Sequence, residues 1–100
     1  MISIEITDEN GEVLESFDGY LGIGALVDAA PKDSRCLSFI DPYGDTVFNA
    51  LQLPVLKAEL LAVVAGIAPT PERAVLARLA DFVDVAMSRQ PHAYLKFVGD

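Results

Sequence analysis

Apolar and polar residues alternate along several short stretches of the chain, and this period of two is typical of β-strands with one buried face. The clearest case is the first, where isoleucine occupies positions 2, 4 and 6 and polar residues lie between them. The pattern predicts strands at 2–7, 13–17, 36–40, 46–48 and 93–98. A lone strand is not stable, so the last of these must pair with strands that precede residue 50.

The first two strands are predicted to form a hairpin, because the pair Asn10-Gly11 between them is the strongest short signal for one. Two registers remain open. A two-residue turn at Asn10-Gly11 places Ile6 opposite Glu15, whereas a three-residue loop that ends in Gly11 places Ile6 opposite Leu14.

A helix is predicted at 54–65, because Pro54 suits the first position of a helix and Gly66 suits its end. Asn49 is followed three residues later by Gln52, which resembles a capping box and predicts a first turn upstream. This helix is apolar on most sides, as is typical of a helix buried on most sides.

A second long helix is predicted at 71–90. Thr70 caps it, a proline takes its first position, and Glu72 complements the helix dipole. Pro91 ends it.

Together these elements predict an α+β fold in a single domain at 1–100, with the order ββ(α)ββααβ. The bracketed helix is a short one at about 24–30. We expect a mostly antiparallel sheet of about five strands, with the two main helices on one face and a wetter opposite face.

Composition supports a soluble globular chain. Hydrophobic residues make up 52% of the 100 residues, enough for a core without a disulfide or a structural metal. The longest apolar run, 60–68, is far shorter than the roughly 20 residues that span a bilayer. The first residues do not resemble a secretory signal, so a cytoplasmic location is expected.

The sequence offers few residues for catalysis. Its one histidine, His92, lies in a predicted connection, and its one cysteine, Cys36, lies among apolar neighbours, where a thiol behaves as a small hydrophobe. Asp41 and Asp45 flank a turn, and turn chemistry already explains both. No short motif of a hydrolase, a kinase or a metal-dependent enzyme occurs. We therefore expect no cofactor, no metal and no conventional enzyme activity.

Charge is the feature that folding explains least. The formal net charge is −8, and no Lys or Arg precedes Lys32. Such a chain disfavours nucleic acids and anionic membranes and favours a basic protein partner. The predicted partner-binding residues are the acids of the first hairpin: Glu5, Asp8, Glu9, Glu12, Glu15 and Asp18.

The run Asp-Pro-Tyr-Gly-Asp-Thr-Val-Phe-Asn at 41–49 resembles a segment of small, acidic, uncharacterised bacterial proteins. The closing Tyr-Leu-Lys-Phe at 94–97 adds to that resemblance, which implies no activity and no functional residues. In size and acidity the chain is also similar to immunity proteins that neutralise bacterial toxins. The favoured function is therefore a non-catalytic protein-binding module, of the immunity or antitoxin type.

Alternatives from other classes stay open. One is a small-ligand sensor with a pocket between sheet and helices near Tyr20, Tyr43 and Tyr94. Another is a structural homodimer through Leu61 and Val64, which lie off the central apolar stripe of their helix. A metabolic enzyme with a dispersed active site ranks third.

Overall fold

The computed structural model of the chain describes residues 3–18, 33–41, 43–89 and 92–99. Its elements are β1 Ser3–Thr7, β2 Val13–Ser16, a 3₁₀ helix at Leu37–Phe39, β3 Asp45–Phe48, α1 Leu53–Gly66, α2 Pro71–Ser88 and β4 Tyr94–Val98. The α+β class is thereby confirmed. The predicted short helix at 24–30 lies outside the described residues.

The sheet contains four strands in the order β2-β1-β4-β3, and every neighbouring pair is antiparallel. Strand β4, the last along the chain, lies in the centre of the sheet between β1 and β3. It pairs Phe97 with Ile4 on one side and with Thr46 on the other. The prediction that the last strand pairs with strands before residue 50 is confirmed.

The predicted strand at 36–40 is wrong, and the count of about five strands falls to four in the described part of the chain. The carboxylate of Glu59 accepts hydrogen bonds from three consecutive backbone N–H groups, those of residues 35, 36 and 37, at 2.6, 3.0 and 3.0 Å. Successive N–H groups of a strand point in opposite directions, so they cannot converge on one carboxylate. A helical turn directs them the same way.

The hairpin combines both predicted registers. At the tip, Asp8 N–H donates to Glu12 O at 3.0 Å and Gly11 has φ of 84°, as a three-residue loop ending in Gly11 requires. Ile6 nevertheless pairs with Glu15, because a β-bulge shifts the register between Ile6 and Thr7. The bulge therefore brings the strand back to the register of the two-residue turn.

Both helices pack on one face of the sheet. That face contributes Ile4, Ile6, Phe48, Leu95 and Phe97 to the core. Helix α1 adds Leu53, Leu56, Leu60 and Val63, and α2 adds Leu76, Leu79, Ala80, Val83 and Ala86. Leu95 and Phe97 are fully buried, whereas their neighbours along β4 are half-exposed on the opposite side, which we call the outer face.

The helix starts follow local capping signals. Asn49 Oδ1 accepts from Gln52 N–H at 3.1 Å, and Gln52 Oε1 accepts from Asn49 N–H at 2.9 Å, so the predicted capping box is present. Thr70 Oγ1 accepts from Arg73 N–H at 3.4 Å, as its predicted role as a cap requires.

Candidate functional site

The six acids predicted as a partner surface fall into groups with different roles. Asp18 Oδ1 is 2.7 Å from Arg78 Nη2, and Glu15 Oε2 is 3.3 Å from Arg89 Nη2. The arginine side chain at 78 also lies over the ring of Phe17, 5.6 Å from its centroid. These acids therefore join β2 to α2 and its C-terminal end.

Glu15 has a special position within that group. It lies opposite Ile6, so it points to the helix side of the sheet, and its Oε2 atom is buried. The contact with Arg89 is an ion pair without hydrogen-bond geometry. Glu15 is thus part of the packing of the hairpin, whereas Asp18, whose side chain is 91% exposed, pairs with Arg78 at the surface.

Asp8 builds the turn. Its Oδ1 atom accepts from the N–H groups of Asn10 and Glu12, each at 2.9 Å. A side chain that bonds the backbone two residues on is an Asx turn, which stabilises the loop. Replacing Asp8 would therefore disturb the hairpin as well as its charge.

The remaining acids have no arginine partner among the residues that the structure describes. Glu9 and Glu12 are exposed at the hairpin tip. Glu9 Oε2 is 3.5 Å from His92 Nδ1, and Glu12 forms no ion pair with any residue that the structure describes. Glu5 lies on the outer face, directly opposite Lys96.

The hairpin tip borders a shallow hollow of about 310 Å³ on the outer face, which we call the tip hollow. Its lining is Thr7, Asp8, Glu9, Gly11, Asp45, Val47, Tyr94 and Lys96. The tip hollow contains one cationic residue, Lys96, and three acids, which are Asp8, Glu9 and Asp45. The nearest pair is Lys96 Nζ and Asp45 Oδ2, 3.5 Å apart.

The outer face also presents apolar side chains. Val13 on β2 is 50% exposed and Val47 on β3 is 51% exposed. Tyr94 lies on this face too, because it alternates with the fully buried Leu95. The predicted pocket between sheet and helices is therefore wrong for Tyr94, and Tyr43 is 85% exposed. Tyr20, the third tyrosine of that prediction, lies outside the described residues.

The structure places the two candidate catalytic side chains in different surroundings. His92 is exposed beside Glu9. Cys36 is buried, and its Sγ lies 3.8 Å from the backbone oxygen of Gln52. Desolvation raises the pKa of the Cys36 thiol above its ordinary value of 9.0, and the carboxylate of Glu59 adds to that rise. A thiol that resists ionisation is a poor nucleophile.

The residues proposed for a dimer through α1 differ in exposure. Leu61 is 47% exposed, whereas Val64 is half-buried and packs against the core. Of these two residues, only Leu61 has a side chain that is largely exposed.

In the part of the chain that the structure describes, no three His, Cys, Asp or Glu side chains are grouped as metal ligands would be. The described helices are also too short or too polar to cross a membrane. Comparisons with protein-family models, curated proteins and solved structures find no match.

Proposed function

We propose that this protein is a non-catalytic binding module that captures a basic protein partner, as an immunity or antitoxin-type inhibitor does. The interface comprises the hairpin tip and the tip hollow beside it. Glu9 and Glu12 supply exposed charge, and Val47 and Tyr94 supply apolar contact area.

The observation that carries the proposal is the division of the hairpin acids. Glu15 and Asp18 have arginine partners in α2 or at its C-terminal end, whereas Glu9 and Glu12 extend from the tip beside a concave surface. Neither Glu9 nor Glu12 has an arginine or lysine partner among the described residues. Uncompensated charge at the rim of an interface chiefly accelerates encounter with a partner of opposite charge.

The residues that line the tip hollow indicate which side chain of a partner would bind there. An arginine or lysine side chain entering it would meet Asp45, which now lies 3.5 Å from Lys96, and could stack against Tyr94. Arginine suits both contacts because its planar group pairs with carboxylates and stacks on rings.

The test is an NMR titration of ¹⁵N-labelled protein with a synthetic arginine-rich peptide. We expect shift changes at Glu9, Glu12, Tyr94 and Lys96. The variant Glu9→Lys/Glu12→Lys should bind at least about fivefold more weakly, and the wild-type affinity should fall as salt is raised.

The matched control is Glu72→Lys/Asp81→Lys, in which both sites are exposed on α2. Each double variant replaces two acids by two lysines, so both change the formal net charge from −8 to −4. Equal weakening by the two variants would mean that the peptide senses only total charge, and the proposed interface would be rejected.

A small organic cation is the second candidate ligand. The volume of the tip hollow, about 310 Å³, lies near the lower end of the range for ligand pockets, roughly 300–1,000 Å³. Titration with an alkylguanidinium salt distinguishes the two functions. Saturable binding confined to the hollow favours a sensor, and binding that needs the whole peptide favours the protein-binding module.

A further inference from the structure

The outer edge of β3 carries backbone groups that no described residue satisfies. Among the strands that the structure describes, β3 pairs only with β4. Gly99 N–H donates to Gly44 O at 2.9 Å, so this pair belongs to the hydrogen-bonded set. Because such pairs alternate in an antiparallel ladder, the N–H and C=O groups of Asp45 and Val47 point away from β4.

The opposite edge of the sheet has two protective devices that β3 lacks, although β3 is itself short and contains the charged Asp45. Strand β2 contains the β-bulge and the inward-pointing acid Glu15. Bulges and inward charges are two devices that prevent edge strands from pairing with other chains. Strand β3 has a regular register, no proline and no lysine, and its inward residues are Thr46 and Phe48.

Exposed apolar side chains gather around the same strand. Among the described large hydrophobic residues, the four with the greatest exposure are Leu51 at 86%, Tyr43 at 85%, Phe39 at 70% and Val47 at 51%. All four lie on β3 or in the segments that flank it. Exposed apolar side chains on and near an unpaired edge are suited to contact with another chain.

We infer that β3 pairs antiparallel with the β3 of a second copy of this chain, about a two-fold axis at Thr46. Asp45 and Val47 lie symmetrically on either side of that residue, and each offers one outward donor and one outward acceptor. The pairing satisfies all these groups and joins two four-stranded sheets into one.

The side chains also fit a second copy. Asp45 lies opposite the second copy's Val47, so no two carboxylates face each other across the new ladder. The antiparallel arrangement sets the flank containing Tyr43 beside the second copy's flank containing Leu51. The edge is therefore complementary to itself.

Salt distinguishes this dimer from the proposed binding of a basic protein. Two copies of net charge −8 repel each other, so screening strengthens their association. Screening weakens the attraction of a basic partner to the acidic tip. Each inference can therefore fail without the other.

Sedimentation equilibrium of the purified protein provides the first test. We expect the average mass to rise from monomer toward dimer as the concentration approaches about 1 mM, and to rise further at high salt. Hydrogen exchange should slow at the amides of Asp45 and Val47 as the concentration increases, because pairing buries those N–H groups.

The decisive variant is Val47→Glu. In the monomer the new carboxylate lies opposite Lys96, so the fold is retained, but in the dimer it faces the second copy's Asp45. We expect dimerisation about tenfold weaker, since the repulsion occurs twice across the axis. The control is Val13→Glu, which changes an equally exposed valine on the same face at the opposite edge and should leave dimerisation within about twofold.

Three results would overturn the inference. One is a monomeric mass at the highest concentration in both low and high salt. Another is equal weakening by Val47→Glu and Val13→Glu. The third is a dimer that Val47→Glu leaves intact and Leu61→Lys dissociates, which would place the contact on α1.

Discussion

The side chain of Glu59 organises a segment that lies far from it in sequence. Its two carboxylate oxygens accept from the N–H groups of residues 35, 36 and 37, and the middle contact spans 23 positions of the chain. The same carboxylate raises the pKa of the Cys36 thiol, in addition to the larger effect of burial. One acid of α1 thus holds the 3₁₀ helix against the core.

We expect Glu59→Gln to lower the free energy of unfolding by about 2 kcal/mol, because hydrogen bonds to a charged acceptor contribute about 1.5–3 kcal/mol and the amide nitrogen cannot accept. Urea denaturation followed by circular dichroism measures the loss, and the buried thiol should also alkylate faster. The control Glu72→Gln, at the start of α2, should lose no more than about 1 kcal/mol. Equal losses in the two variants would contradict the capping role of Glu59.

The contact with Glu59 explains why the alternating pattern at 36–40 predicted a strand where the structure has a 3₁₀ helix. Apolar residues at positions 37 and 39 alternate with others as they would in a strand. The partner that turns the backbone into a 3₁₀ helix is an acid on a different element. A local pattern contains no information about such a contact.

At the scale of elements, local sequence signals were sufficient to predict the ranges of the helices but not the register of the hairpin. The predicted ranges 54–65 and 71–90 became Leu53–Gly66 and Pro71–Ser88, because caps and prolines act within a few residues. The register depends on a bulge that follows the three-residue loop and places Glu15, instead of Leu14, opposite Ile6. Neither turn signal predicts a bulge.

Glycines 11 and 66 provide a matched test of that loop. A Cβ at either position would meet nothing within 4 Å, but only Gly11 has a positive φ. We expect Gly11→Ala to destabilise the fold by about 1–2 kcal/mol through backbone strain alone. Gly66→Ala, at the end of α1, should be neutral or stabilising by up to about 1 kcal/mol. Thermal unfolding of both variants checks the sign; a stabilising Gly11→Ala would refute the described loop.

At the scale of the whole molecule, the sequence indicated an acidic hairpin but not which of its acids pair within the chain. Asp18 and Arg78 are 60 residues apart in sequence, and only the packing of α2 beside the hairpin joins them. The open edge at β3 was equally unpredictable. It depends on strand order, which places β3 at the edge and β4 in the centre.

Because β4 lies in the centre of the sheet, its inward-facing residues lie in the hydrophobic core that the sheet shares with the two helices. Phe97 is fully buried and packs edge-on against Phe48, with ring centroids 5.8 Å apart. We expect Phe97→Ala to cost about 3–5 kcal/mol, a large part of the stability of a domain this size. Val98→Ala, on the outer face of the same strand, should cost about 1 kcal/mol or less. Urea denaturation compares them, and similar losses would contradict the assignment of faces.

The central position of β4 also has a consequence for biosynthesis. Strands β1 and β3 are not neighbours in the sheet; β1 pairs with both β2 and β4, whereas β3 pairs with β4 alone among the described strands. A nascent chain can therefore form the β1-β2 hairpin early, whereas β3, which carries Phe48, has no described ladder partner until the residues through Val98 have been translated. During that interval the apolar strands are available to chaperones and to one another. The four-stranded sheet can be completed only after translation of β4, which joins the β1-β2 hairpin to β3.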